Sequence, residues 1–203
     1  MKIICIGRNY VSHAKELGNN IPAEPLFFLK PATAIQPKGH PFFIPHFSND
    51  IHYEVELVLK INKTGKHIEE RFSHKYYDQI GLGIDFTARD IQEKCKEKGL
   101  PWEKAKGFDG SAQIGRTFIN KAELELDDIT FSLEKNGERV QLASSKDMLF
   151  SFDQIITYIS KFYTLQIGDL IYTGTPEGVG AVKSSDILKG FIGKKEMFKV
   201  MVK

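Results

Sequence analysis

The segment His52-Tyr53-Glu54-Val55-Glu56-Leu57-Val58-Leu59 restricts the fold of this chain more than any other. Strand side chains alternate between faces, so Tyr53, Val55, Leu57 and Leu59 make an apolar row toward a core while Glu54 and Glu56 project together from the other side. Two neighbouring carboxylates on a partly buried face repel and are driven to share a proton, unless a cation holds both ionised. A divalent metal is the simplest resolution, and solvation of a surface is the plainer use of the same pattern.

The remaining strand signals outnumber the helix signals. Lys2 to Ile6 reads as a short strand stopped by Gly7, and Leu26 to Leu29 is a second apolar run before the proline-rich stretch from Pro31 to Pro45, which implies loop and edge structure. Ile80-Gly81-Leu82-Gly83-Ile84-Asp85 reads as a buried strand with close backbone approach, after which Thr87 can cap a helix through Ile91 and Cys95 to a stop at Gly99. Ile129, Phe131 and Leu133 alternate into Asn136-Gly137, a type I′ hairpin signal, and Val140 and Leu142 alternate out of it. Ser151 and Gln154 form a capping box before Ile155, Ile156, Ile159, Phe162 and Tyr163 at helical spacing. Leu170-Ile171-Tyr172 enters the glycine-rich segment 173–180, and Phe198, Val200 and Val202 alternate in a last strand. Several strands with few helices, not in strict alternation, predict an α+β fold in a single domain spanning residues 1–203.

Composition narrows the function classes. The chain has 203 residues, 41% of them hydrophobic, with 28 basic and 26 acidic residues dispersed without a long basic block, so nucleic acid is a poor partner. Cys5 and Cys95 are too few for a disulfide framework or a thiolate metal site. The opening apolar run is too short for a signal peptide, and no later stretch is long enough to span a bilayer. The expectation is a cytoplasmic protein with no membrane partner.

Asp85, where strand becomes helix, is the best third oxygen ligand beside Glu54 and Glu56. Three carboxylates without a histidine or thiolate suit a hard cation with open water positions, hence Mg²⁺ or Mn²⁺ before Zn²⁺. In Ser12-His13-Ala14-Lys15-Glu16-Leu17-Gly18, a very short helix places His13 and Glu16 on one face, either as a base with its orienting carboxylate or as an exposed ion pair. Lys106 stands among glycines and a proline, in a loop that can present an ammonium to an anion. Segment 174–180 lacks the Gly-Lys-Ser/Thr of a nucleotide loop, so a turn whose Thr175 hydroxyl and backbone N–H groups receive a carboxylate is a better reading.

In order along the chain, Gly7-Arg8-Asn9-Tyr10 with His13 and Glu16, His52-Tyr53-Glu54-Val55-Glu56-Leu57, Asp85-Phe86-Thr87-Ala88-Arg89-Asp90, Lys106-Gly107-Phe108-Asp109 and segment 173–180 resemble the fumarylacetoacetate hydrolase family. The likeness is greatest to its small branch of acylpyruvate hydrolases and oxaloacetate decarboxylases. This resemblance implies a mixed β-roll or β-sandwich catalytic core, a homodimer, and a Mg²⁺ or Mn²⁺ site held by Glu54, Glu56 and Asp85. It further implies a His13–Glu16 dyad on a lid, Lys106 as the catalytic lysine, and Arg89, Gln92 and Thr175 lining the pocket for a small 2-oxo acid. An additional upstream acidic ligand of the larger members is missing at Arg8-Asn9-Tyr10, and Gln113 stands where many relatives have proline. The implied activity is hydrolysis or lyase cleavage of a C–C bond in a short 2-oxo acid. The alternatives are an isomerase or tautomerase of 2-hydroxy-dienoate or oxaloacetate substrates, and a non-catalytic keto-acid sensor.

Overall fold

The computed structural model describes residues 1–12 and 21–203; His13 and Glu16 lie outside the described residues. In chain order the first strands are β1 (Ile3–Gly7), β2 (Leu26–Lys30), β3 (Ile51–Tyr53), β4 (Val55–Ile61), β5 (Tyr77–Asp85), β6 (Thr87–Ala88) and β7 (Ala112–Ile114). They are followed by β8 (Ile119–Asn120), β9 (Thr130–Lys135), β10 (Glu138–Ser144), β11 (Leu170–Tyr172), β12 (Gly180–Ala181), β13 (Ile187–Ile192) and β14 (Lys195–Met201). Among the described residues the α-helices with full bounds are α1 (Glu70–Ser73), α2 (Arg89–Lys98), α3 (Glu103–Lys106) and α4 (Phe152–Phe162). A seven-stranded sheet runs β2-β1-β11-β4-β5-β7 with β8 also on β5; a four-stranded sheet runs β10-β9-β13-β14, and a three-stranded sheet β12-β3-β6. Apart from the parallel β1–β11 pair, the sheet pairings are antiparallel. The fold is therefore mixed α+β, as the strand signals predict.

The acidic segment departs from its sequence reading in one respect. It is not one strand: β3 ends at Tyr53 in the three-stranded sheet, β4 begins at Val55 in the seven-stranded sheet, and Glu54 is the joint between them. Val55, Leu57 and Leu59 face the main core with Leu82, Ile84, Phe131 and Leu133, while Val58 lies in a second apolar cluster with Ile3, Cys5, Leu170 and Tyr172. Both faces of β4 are thus buried, and Glu56, two residues from Val58, shares the second face. Opposite it in register stands Gly83, where a side chain would collide with the Gln113 carbonyl oxygen and meet the Tyr172 ring at 2.7 Å. Glycine there lets the sheet close around the acidic pair.

The Asn136-Gly137 turn has φ of 56° and 87°, the left-handed pair that a type I′ hairpin requires. The return strand contradicts the expected alternation: a bulge between Arg139 and Gln141 shifts the register, so Leu142 is exposed and Gln141 is buried. The Ser151–Gln154 capping box forms at the start of α4, whose Ile155, Ile156 and Ile159 are buried. Phe162, on the same predicted stripe, is exposed. Gly99 ends α2 with φ 61°, but Thr87 does not cap it; Thr87 lies in β6 and Ala88 precedes the helix without a side-chain cap. Cys5 and Cys95 are both buried and free. Among the described residues no helix is long and apolar enough to cross a membrane.

Candidate functional site

Asp85 ends β5 on the same face as Gly83, so the register of β4 and β5 brings it beside Glu56. Glu54 joins them from the break between β3 and β4, its carbonyl accepting the Asp85 N–H at 2.9 Å. All three acids are buried, and each offers an oxygen within 4.8 Å of the others. The expected cluster of Glu54, Glu56 and Asp85 therefore assembles, at the floor of a narrow cleft that Arg89, Gln92, Lys106 and Thr175 also line. A roomier cleft of about 560 Å³ between residues 36–41 and 197–201 has no carboxylate in its wall, so size does not locate this chemistry.

Three cations neutralise two of the acids. Lys106 lies at the end of the one-turn helix α3, not in the open loop that its glycines suggest, and it is buried. Its Nζ donates to Glu54 Oε2 at 2.8 Å, Asp85 Oδ2 at 2.8 Å and Thr87 Oγ1 at 2.6 Å, which uses all three N–H donors. Burial alone would lower the Lys106 pKa; Asp85 and Glu54 outweigh it and raise it, so this ammonium is a fixed charge and a donor rather than a base. Arg89 binds Glu54 Oε1 through one terminal nitrogen and Gln92 Oε1 through the other at 2.5 Å. Lys30, at the end of β2, lies 2.6 Å from Asp85 Oδ1 and donates to the Ser111 carbonyl and hydroxyl at 3.0 Å each.

Among the described residues Glu56 has no such partner. It accepts the Gly174 N–H at 2.8 Å, while burial, then Asp85 and Glu54, raise its pKa well above the usual carboxylate range. Gly174 has φ 102° and sits 2.6 Å, at the position of a side-chain carbon, from Asn9 Cβ, so only glycine brings this N–H to Glu56. Asn9 fixes the neighbouring backbone: its amide donates to the Thr173 carbonyl at 2.8 Å and the Phe150 carbonyl at 3.1 Å, and its oxygen accepts from Phe150 N at 2.8 Å. His52 stays outside the cluster on β3, pairing through Nε2 with Asp50 at 2.9 Å; burial and Arg89 hold its pKa down.

Thr175 reaches the cleft as expected, held by a residue the sequence did not disclose. The Gln141 side-chain nitrogen donates to Thr175 Oγ1 and the Pro176 carbonyl at 3.0 Å each, and its oxygen accepts the Val55 N–H at 3.0 Å. One carboxamide thereby ties the threonine turn to the backbone between Glu54 and Glu56. Because Thr175 Oγ1 accepts from Gln141, its own hydroxyl hydrogen is free to donate elsewhere. Replacing Gln141 by leucine is expected to cost on the order of 3 kcal/mol, since several buried partners lose their hydrogen bonds at once. Urea unfolding of the variant beside the parent measures it, and a midpoint unchanged at equal slope contradicts the assignment.

The donor set fits a hard divalent cation. Among the described residues, three buried carboxylate oxygens with no thiolate or imidazole among them suit Mg²⁺ or Mn²⁺, and burial with the two neighbouring acids opposes ionisation of Glu56.

Comparison with known proteins places this geometry in a lineage. The family model described as "Fumarylacetoacetate (FAA) hydrolase C-terminal" matches residues 2–200. A mitochondrial oxaloacetate tautomerase of Mus musculus is 42% identical over 191 residues, covering 94% of this chain and 86% of that protein. A mitochondrial oxaloacetate decarboxylase of Dictyostelium discoideum is 43% identical over 190 residues, covering 93% and 87% respectively. The crystal structure of fumarylpyruvate hydrolase from Pseudomonas aeruginosa in complex with Mn²⁺ and pyruvate superposes with a TM-score of 0.92 at 36% identity, covering 100% of this chain and 89% of that one. The motifs spread from Gly7 to Gly180, the mixed sheets and the buried carboxylate triad therefore have one common explanation: the chain belongs to the fumarylacetoacetate hydrolase family.

Proposed function

We propose that the chain acts on a short 2-oxo acid with a divalent cation, and that oxaloacetate is the substrate to test first, through keto–enol interconversion or loss of CO₂. The observation that carries the reading is the buried triad of Glu54, Glu56 and Asp85 with Lys106 between two of its members. Names of relatives at 42% and 43% identity support the substrate. Glu54, Glu56 and Asp85 would hold Mg²⁺ or Mn²⁺, which supplies Lewis acidity toward a 2-oxo group when bound.

The chain's own residues do the rest. With the counter-charge of Glu54 and Asp85 met by the cation, Lys106 can turn N–H donors from those acids to the oxyanion that develops on the 2-oxo oxygen. Arg89, Gln92 and the Thr175 hydroxyl orient the substrate carboxylate, Arg89 being braced by Glu54 and Gln92. In this reading His13, oriented by Glu16, takes the proton from C3 for tautomerisation; decarboxylation needs no such base, because the electrons of the breaking C–C bond make the enolate. Hydrolysis of an acylpyruvate is a second reading, supported by the fold of the fumarylpyruvate hydrolase bound to pyruvate; there His13 would activate water instead.

Turnover of oxaloacetate, acetylpyruvate and fumarylpyruvate, measured with Mg²⁺ or Mn²⁺ and again after EDTA, tests the proposal. Activity on at least one of them that EDTA abolishes and added cation restores is the expected result. Turnover indifferent to EDTA, or none with any of the three, overturns it. His13→Ala then separates the reactions: tautomerisation and hydrolysis should fall by about 10²–10⁴-fold, the share typical of general-base catalysis, while decarboxylation persists.

A further inference from the structure

The cleft wall carries more positive charge than its carboxylates neutralise. Arg8, Arg89, Lys96 and Lys106 face Glu54, Glu56 and Asp85. Arg89 and Lys106 are paired with those acids; Arg8 and Lys96 form no ion pair with an acid among the described residues. Both are half-buried, so water does not screen them freely.

Two independent features hold these side chains at the cleft. Arg89, Gln92 and Lys96 are spaced i, i+3, i+7 on α2, a single stripe of that helix, so the turn that delivers Arg89 also delivers Lys96. Arg8 follows β1 with φ 59°, a left-handed backbone that arginine rarely adopts. The fully buried Asn9 imposes it through its hydrogen bonds to Phe150 and Thr173. The backbone at Arg8 is fixed by this packing, and its side chain lines the cleft.

We propose that Arg8 and Lys96 form a subsite for a second, distal carboxylate, so that the chain prefers a dicarboxylic 2-oxo acid over a monocarboxylic one. The inference rests on the 2-oxo acid reading and adds the charge of the substrate to it. A monocarboxylic 2-oxo acid leaves this pair of cations crowded, with no acid partner among the described residues, beside a site that would gain two further positive charges with its metal. A dianion relieves that crowding. Consistent with it, burial, then Arg89 and Arg8, lower the Lys96 pKa.

Oxaloacetate and acetylpyruvate differ by a carboxylate in place of an acetyl group, so their kcat/KM ratio reads the subsite. Lys96→Met and Arg8→Met keep apolar stems and remove the charge. Each is expected to lower kcat/KM for oxaloacetate about 10- to 100-fold, the range for a lost charge-assisted hydrogen bond, while acetylpyruvate changes less than about threefold. Lys96→Arg should retain most of the preference. Parallel loss on both substrates, or an unchanged ratio, overturns the subsite while leaving the 2-oxo acid reading standing. Calorimetry with 2-oxoglutarate and 2-oxopentanoate, which differ by a terminal carboxylate in place of a methyl group, provides the readout independent of turnover. If the unmodified enzyme turns over no 2-oxo acid, the activity reading fails by itself. The subsite is then supported by tighter 2-oxoglutarate binding that both variants lose, and overturned by equal binding of the two acids.

Discussion

Glu56→Gln is expected to stabilise the cation-free protein and to remove its response to Mg²⁺. The carboxylate is 1% exposed, has no cationic partner of its own among the described residues and faces two other acids, so its ionised form is costly in the fold. Glutamine keeps an acceptor for the Gly174 N–H and drops the charge. The gain at neutral pH should be on the order of 1–3 kcal/mol, which for a chain of this size raises Tm by several degrees. The sign follows from linkage. With the folded pKa raised above the unfolded one, the group binds more protons in the folded state, so its stabilising effect is intact below the unfolded pKa and is lost as pH rises toward the folded value. Parent and variant should therefore match in acid and diverge as pH rises through that window, with the variant ahead. The same change removes one of three ligand oxygens, so Mg²⁺ should no longer raise Tm and turnover should fall by at least ~10³-fold if the cation supplies the main electrostatic stabilisation. Scanning calorimetry across pH, with and without Mg²⁺, measures both effects; a variant less stable than the parent at neutral pH, or one still stabilised by Mg²⁺, contradicts the assignment of Glu56.

Lys106→Met separates stability from activity in the opposite sense. Removing this ammonium strips one partner from Glu54 and from Asp85 in a buried setting, a change that typically costs about 3–5 kcal/mol. A divalent cation can replace the lost charge, so Mg²⁺ should stabilise the variant more than the parent and recover much of the deficit. It cannot replace the N–H donor, so kcat should stay down by roughly 10²–10³-fold at saturating cation. If Mg²⁺ restores turnover along with Tm, Lys106 serves only as a counter-ion. If it restores neither, the carboxylates are not its ligands.

Part of this site was readable in the amino-acid order because Glu56 and Asp85 lie on regular strands. Glu54 and Glu56 announce themselves by strand periodicity, Asp85 by its place at a strand end, and the Asn136-Gly137 hairpin and Ser151 cap by their turn and capping chemistry. What escaped depends on contacts across the sheet. Lys30 sits 55 positions from Asp85, and their ion pair is a long-range contact of the folded chain; a lysine closing an apolar strand before Pro31 was the available signal. Gln141 was hidden by a bulge that reverses the inward phase of β10, a shift that alternation counting cannot register. Thr87 was assigned to a helix cap because it precedes α2, whereas a two-residue strand turns its hydroxyl toward Lys106. Glu54 was placed inside one continuous strand, since nothing in the residue pattern marks the change of sheet there.

Lys30 and Lys106 have a consequence for the order in which the enzyme is assembled. Because they already balance Asp85 and most of the acidic charge, the polypeptide need not wait for an ion before it can fold, unlike a zinc finger that is disordered until loaded. If the proposed divalent cation binds there, loading would be an exchange of one counter-ion for another inside a finished protein. Chelators should accordingly switch such a molecule off and leave it ready to be switched on again, with the surrounding ion supply rather than synthesis setting how much of it is working.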